Sequence, residues 1–421
     1  MTPGSRPHVV IVGGGFGGVE AARGLAKADV DITLVDRRNH FLFQPLLYQV
    51  ATAGLNPGDI ATPIRSILRH QENVTVLLGE VISVNLDSSL IAMADGSQLG
   101  FDYLVLAAGT RHSYFGNDQW ESHAPGLKSV EDALEIRRRV LMAFERAERI
   151  QAGPEQDGEL TFVVVGGGPT GVEMAGAIAE IAFKVLRRDF RRIDPADAKV
   201  ILLEAADRLL LAYPPSLSKK GRRQLERLGV DVRTGTRVEG IDHEGVTTSA
   251  GRINSRTVVW GAGNTAAPVA TTLGVETDRA GRVIVASDLS VPDHPEVFVV
   301  GDLAAAESRG TPVPGVAQGA LQGGTHAAKC IVADLSGRSR IDFRYRNKGE
   351  LATIGRSSAV GVIRGVRLSG WIAWMAWWLV HIFFLINFRS RAIVLFSWSW
   401  SYLTFQRGAR LITGSWEALR R

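Results

Sequence analysis

The chain has 421 residues, 45% of them hydrophobic, more than one hydrophobic core usually serves and ample for two or three domains. Forty-eight basic residues against 43 acidic ones give a net charge of +5, too evenly spread for a nucleic-acid footprint. Cys330 is the only cysteine, which excludes an internal disulfide, a cysteine metal cluster and a dithiol redox pair.

Near the N-terminus only Val9 to Val12 run apolar without a break. That is too short for the hydrophobic region of a secretory signal, so a cytoplasmic chain is expected. The segment HVVIVGGGFGGVEAARGLAKADVDITLVDRR then predicts a βαβ unit: a short apolar strand, a glycine turn, a helix with small residues and a second strand ending in an acid. Gly13 allows the tight turn, Gly15 lets the backbone approach a pyrophosphate, and Gly18 lets helix and strand pack closely. The helix N-terminus faces the phosphates. Asp36, eighteen residues past Gly18, can accept from a ribose hydroxyl. A bare glycine pattern is often a turn that binds nothing; strand, helix and terminal acid together make a dinucleotide the better reading.

The pattern returns 153 residues later in LTFVVVGGGPTGVEMAGAIAEI, with Gly166, Gly168 and Gly171 in the three roles. Its second strand, KVILLE, follows an inserted arginine-rich stretch, Arg187 to Arg192, and ends at Glu204. An acid there favours NAD, because a carboxylate repels a 2′-phosphate. Arg208 is the competing signal, outweighed by Glu204. Each copy is followed by a further strand closing in alanine and glycine, FDYLVLAAGT with Ala108 and RTVVWGAGN with Gly263. Two copies imply two dinucleotides and a tandem doubly wound, Rossmann-like α/β architecture. A late strand, VFVVGDLA, brings Asp302 to a glycine turn, where it can accept hydrogen bonds from a ribityl chain or simply cap a helix.

PGVAQGALQGGTHAAKCIVADL predicts a helix beginning near Gly315, whose positive end could stabilise an anionic cofactor ring. Gly315, Ala317 and Gly319 are small enough to let a ring lie close. Gln318 and Gln322, four apart, share a helix face of neutral donors and acceptors. Glu173 lies two residues past Gly171 and reads as a first-turn residue that either complements the helix dipole or serves chemistry.

From Trp371 to Ile386 the chain is apolar except for His381, and a second apolar run covers Ala392 to Phe405. Both are short of the roughly twenty residues a spanning helix needs. Seven of the nine tryptophans fall between 371 and 416, and from Asn387 onward there are six arginines and one acid. Tryptophans beside arginines suit an element lying at headgroup depth; a buried dimerisation or core helix is the competing reading. SWSWSY alternates with period two and, taken alone, favours strand.

These segments, with NHFLFQPLLYQVATAGL, GGGPTGVEMAG, VVWGAG, VFVVGDLA, AQGALQGG and the tail, resemble the type II NADH:quinone oxidoreductases among the two-dinucleotide-binding flavoprotein reductases. The likeness spans nearly the whole chain. It implies FAD on the first glycine motif, NADH as electron donor on the second, and Gln44, Pro45 and Tyr48 near the flavin. It also implies a quinone site beside the AQxAxQ face and helix in place of strand at SWSWSY. Glu173 is then expected to order nicotinamide or relay protons. Residues 1–115 with 285–335 are expected to hold FAD, 116–284 NADH, and 336–421 to anchor the chain. The enzyme is expected as a homodimer on the cytoplasmic face of the inner (plasma) membrane, attached to the lipid bilayer by its tail. Quinone reduction consumes two protons; Lys348 and His381 are the candidates for supplying them, against readings as a surface lysine and a lipid-interface or core histidine. A soluble NADH:ferredoxin-type reductase or an NADH-binding redox sensor are the rival functions.

Overall fold

Runs of valine, isoleucine and leucine that cannot alternate between core and water belong inside parallel sheets, and two such sheets organise the chain. The structure, a computed structural model, describes residues 6–386, 388–404 and 408–413. It divides into two compact units, the first made of the described residues of Met1–Leu42, Ala61–Arg111 and Asn264–Asn347, the second of those in Phe43–Ile60, His112–Gly263 and Lys348–Arg421. Asn387, Arg407, Trp416, Glu417, Arg420 and Arg421, all counted in the basic, tryptophan-rich end, lie outside the described residues.

In the first unit, strand His8–Val12 runs parallel to Asp31–Asp36 on one side and to Tyr103–Leu106 on the other. Val74–Leu78 and His294–Val299 extend the sheet in parallel, and Ser290–Val291 closes one edge antiparallel. Val9, Val10 and Ile11 are wholly buried, as an inner strand covered on both faces requires. Helix Phe16–Gly24 packs closely on helix Ala317–Leu335. A Cβ at Gly24 would come within 2.6 Å of the Ala328 methyl carbon, so glycine sets how near the two axes lie.

The second unit repeats the theme with a four-stranded parallel sheet, Val230–Arg233, Lys199–Leu203, Thr161–Val165 and Thr257–Trp260. Its glycine helix, Pro169–Glu180, packs on strand Glu350–Gly355, where a Cβ at Gly176 would run into the Ile354 carbonyl. Strands Glu350–Gly355, Ser358–Ile363 and Val366–Ser369 form an antiparallel sheet that leads into two terminal helices, Trp371–Phe384 and Phe388–Thr404. The alternation at SWSWSY is therefore overruled in favour of helix. In Trp371–Phe384, Ala373 and Trp377 are buried while Ile372, Leu379 and Phe383 stand 59–69% exposed, so a helix apolar all round has a dry face and a bare one. Among the described residues no helix is long and apolar enough to cross a membrane.

Candidate functional site

The two glycine turns are built alike. Gly13 and Gly166 take φ of +103° and +106°, which side chains rarely adopt, and each donates its N–H at 2.8 Å to the carbonyl one residue before the strand-end acid, Val35 or Leu203. Gly14 N–H is accepted by Asp36 Oδ2 at 2.6 Å, and Gly167 N–H by Glu204 Oε2 at 2.6 Å. The remaining oxygens accept Arg38 N–H at 2.7 Å and Ala206 N–H at 2.8 Å. Each acid is thus fixed at the lip of its turn while keeping lone pairs for a ribose hydroxyl.

The spacing of the third glycine has an equally direct cause. A Cβ on Gly18 would strike the Gly13 carbonyl, and one on Gly171 the Gly166 carbonyl. The backbone at Ala107 and Ala108 passes just over Gly13, as that at Gly261 and Ala262 passes over Gly166. By contrast, the space beside Gly15 and Gly168 is open to 4 Å. Both glycines are N-caps whose helices receive no side-chain cap and carry no acid in the first turn. Orphan N–H groups, an open approach and a fixed acid are what a dinucleotide pyrophosphate and ribose fit, at both turns. Gly263, at φ +71°, closes the strand end in the second unit, its carbonyl accepting Ser113 N–H at 3.3 Å.

In the first unit Asp302 lies in the short turn Gly301–Leu303 and lines a small cavity together with Gly315 and Gly319. The helix after it begins at Ala317, two residues later than the glycines suggested, because Pro314, Gly315 and Val316 remain outside the helical turn. Gln318 is therefore its second residue. Gln322 donates to the Arg346 carbonyl at 3.1 Å and accepts the Arg346 N–H at 2.9 Å. Its amide holds down the 346 segment as a strand neighbour would, a use the sequence did not disclose.

The second unit has a cleft of about 860 Å³, open to solvent, lined by Tyr48, Glu173, Lys184, Trp374, Trp377 and Trp398 among others. Helix Pro169–Glu180 starts early enough that Glu173 is its fifth residue, past the first turn. A dipole-complementing role is thereby removed, since that effect fades within one turn. Burial pushes the Glu173 carboxyl up to about 8, against the backbone N–H of Thr353, which donates to it. Gln44 and Pro45 open the turn Gln44–Leu46 that leads into Leu47–Ala51, and so belong to this unit together with Tyr48.

Sequence reasoning missed Gln49, which joins the terminal helices to this cleft. Its Oε1 accepts the Trp398 indole N–H at 2.6 Å and its Nε2 donates to the Tyr48 hydroxyl at 2.9 Å. The only signal was its place in the quoted segment NHFLFQPLLYQV. Tyr48 meets Trp377 edge-on at 6.4 Å. His381 stacks on Trp377 at 4.2 Å with its Nδ1 2.6 Å from the Trp377 carbonyl, and burial pulls its pKa down to about 4. It is thus a neutral packing histidine near pH 7. Lys348 holds its ammonium 5.7 Å over the Phe384 ring.

Residues 7–324 match the model of the pyridine nucleotide-disulphide oxidoreductase family. The chain is 47% identical to the type II NADH:quinone oxidoreductase Ndh of Mycobacterium tuberculosis, over 98% of this chain and 91% of that one. It is 45% identical to that organism's NdhA, over 97% and 90%. The fold is similar to the solved structure of NDH2 from Plasmodium falciparum in complex with NADH, with a TM-score of 0.88 at 19% identity, covering 97% of this chain and all of that one. With its duplicated dinucleotide turns and its sequence alike over nearly full length, the chain belongs to the type II NADH:quinone oxidoreductases of the pyridine nucleotide-disulphide oxidoreductase family.

Proposed function

We propose that this chain oxidises NADH and reduces a membrane quinone, with Gly13, Gly15, Gly18, Asp36, Ala108, Asp302 and Ala317 holding FAD, joined by Gln44 and Pro45. Gly166, Gly168, Gly171, Glu204 and Gly263 hold NADH. In domain terms, 1–115 with 285–335 bind FAD, 116–284 bind NADH, and 336–421 attach the protein to the bilayer. Bound FAD supplies the two-electron chemistry, taking a hydride from NADH and giving electrons to the quinone.

The observation that carries the acceptor side is the cleft of the second unit, where one carboxyl of raised pKa shares an apolar aromatic wall with the terminal helices. Such a lining suits a flat apolar ring that must gain protons. A Glu173 carboxyl that is neutral below about pH 8 can donate a proton to a quinone oxygen, and Gln318 serves the quinone side as a neutral hydrogen-bonding group.

The bare faces of the terminal helices, with Trp371, Phe383, Phe396 and Trp400 all more than half exposed, support a peripheral seat on the lipid surface; the cytoplasmic side is part of the proposal. A homodimer through part of the same surface is compatible with this. The test is spectroscopic: the purified protein should be yellow, NADH should bleach the flavin, and a short-chain quinone should restore it over many turnovers. A flavin reduced once and never reoxidised would mark a sensor instead.

A further inference from the structure

The arginine-rich insertion that lengthens the second βαβ unit has no part in either nucleotide turn. It follows the π-helical turn Ile181–Val185 and precedes strand Lys199–Leu203. Before that strand it carries five cations, Lys184, Arg187, Arg188, Arg191 and Arg192, against three acids, Asp189, Asp194 and Asp197, and the cations are crowded into its first half. All five are exposed.

The loop is anchored independently of its charges. Leu186 and Pro195 are buried, and the Phe190 ring lies 6.0 Å from buried Phe144. Glu148, the acid positioned to neutralise it, accepts three backbone N–H groups, of Arg191, Arg192 and Ile193, at 3.0–3.1 Å. Asp189 is paired with Arg410 of the terminal segment, and Arg137 donates to the Ala409 carbonyl at 3.2 Å. Lys184 and Val185, at the foot of the loop, line the same cleft as Trp374, Trp377 and Trp398. Lys184 therefore stands beside the terminal helices, and the arginines follow it on a loop fixed by packing and tied through Asp189 to the terminal segment.

We propose that this loop is a second membrane contact, binding the phosphodiester headgroups of anionic phospholipid where the terminal helices enter the apolar layer. It rests on the reading that those helices seat on a bilayer and adds the lipid class. The apolar faces fix depth; the loop selects anionic surfaces, at roughly fivefold in partitioning per arginine held at the surface, approaching a thousandfold for four.

The test compares full-length protein with the variant R187Q/R188Q/R191Q/R192Q on vesicles of pure phosphatidylcholine and of phosphatidylcholine with phosphatidylglycerol, at low and high salt. NADH oxidation by a water-soluble acceptor monitors folding, and the quadruple lysine variant controls for loop geometry. The expected result is a salt-sensitive preference for anionic vesicles in the parent and the lysine variant, absent in the glutamine variant, with unaltered binding to neutral vesicles. An anionic preference equal in parent and glutamine variant overturns the loop's role and leaves the helices' role standing. A parent that binds anionic but not neutral vesicles, with binding lost in the glutamine variant, supports the loop and removes apolar seating by the helices. Loss of the anionic preference on adding inorganic phosphate at constant ionic strength would reveal a free-phosphate site and overturn the bilayer reading.

Discussion

Glu204 accepts the backbone N–H of Gly167 at 2.6 Å, which locks a carboxylate at the point where the adenosine ribose of the donor is expected. Arg208, the cation that could have reversed the preference, donates to the carbonyls of Leu210, Leu211 and Tyr213 and is held to its own loop. NADH should therefore be strongly preferred over NADPH. Glu204→Gln keeps the acceptor for Gly167 but removes the charge, and should narrow the kcat/KM ratio about tenfold, the scale of one near-surface charge pair. Equal use of both donors by the unaltered protein would sink the assignment.

The raised pKa of Glu173 gives a second prediction with a definite sign. The carboxyl is protonated below about pH 8 and ionised above it, because burial disfavours the charge. Quinone reduction should hold steady below that pH and fall as pH rises through it, while reduction of the flavin by NADH lacks this inflection. Glu173→Gln should abolish the inflection and slow the quinone half-reaction on the order of a hundredfold, as loss of a general acid does. Stopped-flow at varied pH separates the halves; an inflection that persists in the variant assigns the proton elsewhere.

The two glutamines of the Ala317–Leu335 helix should part company. Gln318→Ala should impair quinone reduction and spare flavin reduction. Gln322→Ala breaks a two-way link to Arg346, an effect of about 1 kcal/mol per hydrogen bond, and should lower the melting temperature before it alters either rate. Equal slowing of both half-reactions by Gln318→Ala removes the quinone-side role.

The glycine turns were legible because their constraint is steric and local: no other residue fits between Gly18 and the Gly13 carbonyl, and the motif states as much twice. The parallel strands were legible from unbroken valine runs. What escaped was anything decided by distant packing. The period of SWSWSY pointed to strand, yet Val394 and Ser390 bury one side of a helix there. Glu173 lay one turn deeper than its distance from Gly171 implied, since Pro169 starts the helix. Gln49 and Gln322 find partners 349 and 24 residues away, which no window along the chain can reveal.

The terminal helices carry the last prediction. In Trp371–Phe384 the exposed residues Ile372, Leu379 and Phe383 are spaced by seven and four, one helical face, while Ala373 and Trp377 occupy the buried side. Phe396 and Trp400 repeat the pattern on the following helix, four apart and stacked at 6.4 Å. Truncation before Gly370 would strip Trp377 from Tyr48 and Trp398 from Gln49, so it tests attachment and the cleft together. Polar substitution of the bare face alone, Leu379→Ser with Phe383→Ser and Phe396→Ser, leaves those contacts in place. Each such side chain contributes roughly 1.5–3 kcal/mol when buried in an apolar layer, so the triple variant should lose co-sedimentation with vesicles almost entirely. NADH oxidation by a water-soluble acceptor should continue unchanged. Undiminished co-sedimentation would show that this face is not the lipid contact, and conversion of a dimer to a monomer in sedimentation velocity would identify it as a subunit seam.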